Sequence, residues 1–158
     1  MKEAVLCLGT NLGDREANLR QAVTALERLP HTTIRRVSSV YRTAPVEVTD
    51  EQPDYYNQCV HLSTDFSPHA LLGICLGIEA AMGRKRVSWH GARVMDIDLL
   101  LYEGETCQSE ELNLPHPGIR ERAFVLVPLQ EIFPEKRFFS FSFEKEFCTI
   151  DKSSVHMI

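Results

Sequence analysis

The sequence has no apolar run approaching the roughly 20 residues that a membrane-spanning helix requires. Its first apolar stretch, residues 4–8, is too short for a signal h-region. Cysteine is sparse: Cys7, Cys59, Cys75, Cys107 and Cys148 are odd in number and widely spaced, with no C-x-x-C. That argues against a disulfide framework and a zinc knuckle, and for reduced thiols in a cytoplasmic protein. Positive charge is also in short supply. Seventeen Lys and Arg against twenty-two Asp and Glu leave a net charge of −5, the wrong sign for wrapping nucleic acid. No G-x-x-x-x-G-K-[ST], G-x-G-x-x-G, G-x-S-x-G or H-E-x-x-H occurs. A P-loop kinase, a Rossmann oxidoreductase, a serine hydrolase and a zincin are therefore disfavoured. Repeats, low-complexity segments and linkers are lacking as well.

What remains is an ordinary globular composition, 44% apolar and 25% charged over 158 residues. That suits one domain, residues 1–158, able to bury its own core. Residues 4–8 read as a buried strand ended by Gly9. From Asp14, a candidate N-cap, Leu19, Ala22, Val23, Leu26 and Leu29 recur at helical spacing until Pro30. Residues 32–41 are rich in β-branched residues and predict a strand, and residues 42–55 a long loop. Residues 56–64 alternate, with Val60 and Leu62 on one face and Asn57, Cys59 and His61 on the other. Ser67-Pro68 opens a second helix, which Gly83 closes. Residues 84–92 form a basic loop and residues 96–102 a strand. This order, β-α-β-β-α-β, predicts an α+β fold with a ferredoxin-like antiparallel sheet and helices on one face. Residues 112–117 are a proline-bounded loop, and residues 119–130 a further helix with Pro128 near its end. Phe139, Phe141 and Phe143 alternate, so the expectation is a C-terminal edge strand covering the sheet.

Asp96-Ile97-Asp98 is the sharpest local signal. On a strand, residues i and i+2 share a face, about 7 Å apart, while Ile97, Leu99 and Leu101 face the core. Two adjacent carboxylates repel unless something positive joins them. Mg²⁺ suits, because it binds one or two carboxylates together with substrate phosphates. Arg84, Lys85, Arg86 and Arg93 stand just upstream, where guanidinium forks can take phosphate oxygens in pairs. His116, between two prolines, can donate to a phosphate. Tyr55 and Asn57 offer a flat face and an amide, which suits a planar heterocycle. On these residues alone, another two-metal Mg²⁺-nucleotide transferase or a non-catalytic ferredoxin-like binding module stays open.

The motifs as a set are more specific. Gly9-Thr10-Asn11-Leu12-Gly13-Asp14 resembles G-[ST]-N-L-G-D. Residues 38–45 resemble S-S-x-Y-x-T-x-P, and Gln52-Pro53-Asp54-Tyr55-Tyr56-Asn57 resembles Q-P-D-Y-x-N. Residues 78–84 are similar to I-E-x-x-x-G-R, and residues 91–100 to G-P-R-x-x-D-[IL]-D-[IL]-[LM]. Leu114-Pro115-His116-Pro117 and Arg122-Ala123-Phe124-Val125-Leu126 complete the series. In this order they resemble the 6-hydroxymethyl-7,8-dihydropterin pyrophosphokinase family of folate biosynthesis.

The resemblance implies a cytoplasmic monomer that moves the β,γ-diphosphate of ATP to the pterin hydroxymethyl oxygen and leaves AMP. Its partners are ATP and the reduced pterin alcohol, with neither nucleic acid nor membrane. Asp96 and Asp98 are implied to hold two Mg²⁺ ions, and Arg84, Arg86 and Arg93 to line the phosphates. Glu79, Leu99, Leu112, His116 and Arg122 are implied at the nucleotide. Tyr55 and Phe124 are implied to sandwich the pterin, with Asn57, Thr43, Ala44, Val46 and Asp96 around it. Ala92 stands where the family often has proline. Leu76 and Glu111 replace residues that are frequently polar and basic, respectively.

Overall fold

The structure, a computed structural model, describes residues 1–45, 51–83 and 93–158. The first apolar run becomes β1 (Lys2–Thr10). There follow α1 (Arg15–Glu27), β2 (Thr32–Val37), β3 (Tyr41–Thr43), β4 (Tyr55–Thr64), α2 (Pro68–Ala81) and β5 (Asp96–Tyr102). Shorter elements come after them: β6 (Cys107–Gln108), β7 (Asn113–Leu114), α3 (Ala123–Ile132), β8 (Arg137–Phe138), β9 (Phe141–Ser142), α4 (Glu144–Thr149) and β10 (His156–Met157). The caps read from the sequence are present. Asp14 accepts the Ala17 N–H at 3.1 Å and Ser67 accepts the Ala70 N–H at 3.2 Å, satisfying donors that a helix start leaves orphaned. Gly83 takes a φ of 86° just beyond α2, a conformation that glycine adopts without penalty.

The main sheet has the order β5-β1-β4-β3-β10, with β2 also on β4, and every pairing is antiparallel. β4 is long enough to hold β2 along its second half and β3 along its first. Here the chain departs from the single strand expected over residues 32–41 and the loop expected over 42–55. The strand breaks after Val37, and the register moves by one residue between Val37↔Val60 and Tyr41↔Asn57. Ser38 bridges the break: its N–H donates to the Cys59 carbonyl and its hydroxyl accepts the Cys59 N–H, each at 2.9 Å.

Two apolar clusters lie on opposite faces of the sheet. Ala4, Leu6 and Leu8 meet Leu19, Ala22 and Leu26 of α1 and Leu71 and Cys75 of α2. Val5, Cys7 and Cys59 meet Val125, Leu126, Leu129 and Ile132 of α3. Each fully buried leucine or isoleucine contributes about 1.5–3 kcal/mol, more than any helix propensity in these segments. The one-sided helix layer holds for α1 and α2 only, because α3 covers the other face. The helix expected over residues 119–130 is divided. Ile119–Glu121 is a single 3₁₀ turn, and Arg122 is extended (φ −119°, ψ 105°) before α3 begins. Leu101 also departs from expectation. A bulge between Leu6↔Leu99 and Val5↔Leu101 puts Leu100 and Leu101 together on the α3 face.

The phenylalanine segment covers that face but is not a strand of the main sheet. β8 and β9 pair only with each other, because Phe139 turns the chain with a φ of 51°. Phe138 and Phe143 are buried against Val5, Cys59 and Leu101. The C-terminal edge strand of the main sheet is β10, which pairs with β3.

Candidate active site

Strand alternation and register assemble the site. Asn57 on β4, Gly9 on β1 and Asp96 on β5 lie in one row across the sheet. Cys59, Cys7 and Asp98 form the next row. Side chains of these residues share the α3 face. They floor a cavity of about 570 Å³, walled by Thr43, Ala44, Pro45 and Tyr55 on one side and by Glu121, Arg122, Ala123 and Phe124 at the start of α3. Arg93 and Ser154 complete the lining. That volume lies within the range of small-molecule sites.

Asp96 and Asp98 are thus half-buried on one strand face, as the D-x-D spacing predicts. Arg93 donates from Nη1 to Asp96 Oδ2 at 3.2 Å. Arg93 is itself fixed through Asn11, whose Oδ1 accepts the Arg93 N–H at 2.8 Å and whose N–H donates to the Arg93 carbonyl at 3.0 Å. The buried Asn11 also donates from Nδ2 to Gln52 Oε1 and to the Pro53 carbonyl, at 2.9 and 3.3 Å. It therefore ties the segment before Tyr55 to the segment before Asp96. Among the described residues, no cluster of three or more His, Cys, Asp and Glu could hold a metal by itself. Two carboxylates facing one cavity fit Mg²⁺ nonetheless, since that ion keeps several ligand positions for water and phosphate oxygens.

At the other end of the row, Asn57 donates from Nδ2 to Thr43 Oγ1 at 3.0 Å, which fixes the amide plane. Its Oδ1 lies over Gly9, only 3.2 Å from where a Cβ would stand. Tyr55 rises from the sheet and Phe124 comes from the covering helix, so two aromatic rings border one space. The Arg122 guanidinium sits 5.8 Å from the Phe124 ring centroid.

His116 stands beside this cavity. Its Nδ1 accepts the Gly118 N–H at 3.0 Å, so a neutral ring carries its proton on Nε2. Burial lowers its pKa from 6.5, the Arg122 cation adds to that, and Asp96 opposes it. Cys7 is held protonated. Its hydrogen bond with Cys59, burial, and the Asp98 and Asp96 carboxylates all push its pKa well above the usual value.

The family model described as 7,8-dihydro-6-hydroxymethylpterin-pyrophosphokinase (HPPK) matches residues 5–134. The chain belongs to this family. It is 49% identical over 135 residues to a 2-amino-4-hydroxy-6-hydroxymethyldihydropteridine pyrophosphokinase of Methylorubrum extorquens, covering 85% of each chain. It is 43% identical over 129 residues to the protein of that name from Bacillus subtilis, covering 82% of this chain and 77% of the other. In fold it is similar to the Plasmodium falciparum HPPK-DHPS crystallised with pteroate. There the TM-score is 0.71 at 16% identity, over 93% of this chain and 42% of that longer one.

Among the residues that the HPPK motifs suggest, Thr43, Ala44, Tyr55, Asn57, Arg93, Asp96, Asp98, Arg122 and Phe124 line the one cavity. Glu79, Leu99 and Leu112 do not line it. Leu99 and Leu112 are buried in the cluster under α1 and α2. Glu79, buried on α2, accepts the Ile97 N–H at 2.7 Å on the outer edge of β5. Arg84, Arg86 and Val46 lie outside the described residues, as does the basic loop before Gly91. Sequence reasoning missed Cys7, Gly9, Pro45, Glu121, Ala123 and Ser154. Gly9 and Cys7 carried a signal, since they alternate with the core residues of β1. Ser154 carried none.

Proposed function

We propose that this chain transfers the β,γ-diphosphate of ATP, as one unit, to the hydroxymethyl oxygen of 6-hydroxymethyl-7,8-dihydropterin, giving the pterin diphosphate and AMP in folate biosynthesis. One observation carries this reading. The carboxylate pair of β5 and the Tyr55–Asn57 pair of β4 are brought by register into a single cavity, so an anionic group and a flat heterocycle meet there. The family match supports it independently.

In this reading the pterin ring lies between Tyr55 and Phe124. Asn57, oriented by Thr43, reads its hydrogen-bonding edge, with Ala44 and Val46 beside it. Asp96 and Asp98 hold two Mg²⁺ ions, which when bound neutralise the triphosphate and orient it. Arg93 is already anchored beside Asp96 and has guanidinium protons left for phosphate oxygens. Arg122 and the Nε2–H of His116 donate from the opposite side, and Arg84 and Arg86 complete the cationic lining. Glu79 acts indirectly, by fixing the outer edge of β5. Leu99, two residues after Ile97, turns its backbone groups to that same edge, where they and the neighbourhood of Leu112 meet the nucleotide.

Such a transfer needs positioning and charge neutralisation more than a protein nucleophile. The hydroxymethyl oxygen is held in line with the β-phosphorus by ring stacking at one end and phosphate contacts at the other. Exclusion of water from the cavity keeps it from competing as acceptor. We propose further that the architecture is ferredoxin-like and that the protein is a cytoplasmic monomer. Among the described residues, no helix is long and apolar enough to cross a membrane.

The test is a phosphorus NMR assay with ATP, Mg²⁺ and the reduced pterin alcohol. AMP and a pterin-bound diphosphate are the expected products. Free pyrophosphate would identify a nucleotidyl transferase, and ADP a simple kinase; either outcome overturns the proposal.

A further inference from the structure

Cys7 and Cys59 have no role in the proposed chemistry, yet they face each other across β1 and β4. The Cys59 N–H donates to the Ser38 hydroxyl, and its carbonyl accepts the Ser38 N–H. Both backbone groups of Cys59 therefore point away from β1. Cys7 and Cys59 are consequently a non-hydrogen-bonded pair of the ladder, the kind whose Cα atoms stand about 4.5 Å apart. That falls at the short end of the roughly 4.4–6.8 Å span that disulfides bridge. The Cys59 side chain is the strongest single influence on the Cys7 thiol, as adjacency across the ladder requires.

Access to the pair is one-sided. Cys7 is 5% exposed and Cys59 not at all, and only Cys7 lines the cavity. A small reagent that enters the cavity reaches the Cys7 sulfur first and finds Cys59 directly behind it. The other thiols are placed differently: Cys75 is buried on the opposite face, Cys107 sits on β6, and Cys148 is exposed on α4.

We propose that Cys7 and Cys59 form an oxidation site, closing to a cross-strand disulfide when a hydroperoxide reaches the cavity floor. The Cys7 sulfur attacks one peroxide oxygen and the O–O bond breaks, giving a Cys7 sulfenic acid and, with hydrogen peroxide, one water. The Cys59 sulfur then displaces the hydroxyl from Cys7, forming the S–S bond and a second water. The thiols lose two electrons and the peroxide gains them. The thiolate is the attacking form, and burial of the pair makes the first step slow. Closure draws the Cys7 sulfur toward β4 and away from Asp98. Exchange with a small thiol breaks such a bond, which makes the change reversible.

The experiment is peptide mapping of the full native chain after exposure to hydrogen peroxide. Residual thiols are alkylated and the digestion is run without reductant. The expected result is a linked pair of peptides containing Cys7 and Cys59, lighter by two hydrogen atoms, which dithiothreitol separates. In Cys59→Ala the link should vanish, and dimedone should capture Cys7 as its sulfenic acid. Recovery of Cys7 and Cys59 as free thiols while Cys148 is oxidised would overturn the proposal. So would a Cys7 joined to any other cysteine.

Discussion

At Gly9 a missing side chain shapes the site. A Cβ there would stand 3.2 Å from Asn57 Oδ1 and 3.7 Å from Tyr55 Cδ1. Asn57 cannot simply retreat, since Thr43 holds its other amide atom. Gly9→Ala must therefore displace the Asn57 amide by a few tenths of an ångström, while the Tyr55 ring stays in ordinary contact. A hydrogen bond spoiled in this way costs about 0.5–1.5 kcal/mol, up to roughly tenfold in affinity. Calorimetry should show pterin binding weakened to that extent, with thermal stability almost unchanged. Tyr55→Ala removes the stacking face itself. It should weaken pterin binding by about 1 kcal/mol or more while leaving affinity for an ATP analogue intact; the reverse pattern would place the pterin elsewhere. For Asp98→Ala, turnover should drop by at least roughly 10³-fold, about 4 kcal/mol of transition-state stabilisation, with an unchanged circular dichroism spectrum. Near-normal turnover in saturating Mg²⁺ would remove the carboxylate pair from the mechanism.

Between elements, Asn11 acts as a clasp. It bonds the Arg93 backbone in both directions and takes in Gln52 and Pro53, so the approaches to β4 and β5 are joined through one buried amide. Asn18 reinforces the join from α1, donating to the carbonyls of Leu12 and Val94. Asn11→Ala leaves the part-buried Arg93 N–H without its acceptor, a loss of about 1 kcal/mol. Urea unfolding should register that loss, and KM for both substrates should rise because Tyr55 and Arg93 are no longer held to a common point. An Asn11→Ala protein as stable as the parent would deny Asn11 this role. On the far side of the sheet, Glu131 of α3 accepts from the Tyr41 hydroxyl at 2.6 Å and from the N–H and hydroxyl of Ser39. This pins α3 over β3 and sets the height of the roof that Phe124 belongs to.

For the molecule as a whole, acid sensitivity follows from a histidine in the sheet. His61 contacts Glu3 at 2.6 Å and packs against the rings of Phe133 and Phe138. Burial lowers its pKa from 6.5 and Arg35 and Arg36 assist, against the opposing pull of Glu3. Burial prevails over the ion-pair geometry because the rings exclude the water that would solvate the cation. The unfolded chain therefore takes up the proton first as pH falls below about 6.5, and stability falls with it until the native state is protonated too. Denaturant titrations should show this slope, and His61→Gln should flatten it. An unchanged slope would assign the acid sensitivity to other groups.

Much of this arrangement was legible in the amino-acid order, because local rules govern it. Asp14, Ser67-Pro68 and Gly83 mark helix ends through their own backbone chemistry, and Asp96-Ile97-Asp98 must present both carboxylates to one face of a strand. The motif series named the family. Other features depend on segments distant in the chain. The break at Ser38 exists because the Cys59 backbone offers it partners, and the bulge at Leu100 turns Leu101 to the opposite face. α3 covers the face that α1 and α2 leave open, and the Phe139 turn gives the last sheet edge to β10. Alternation could say that Cys7, Asn57 and Asp98 each point to one side of their own strand. That all three point into the same space was decided by the register between strands, which residues far apart in sequence set together.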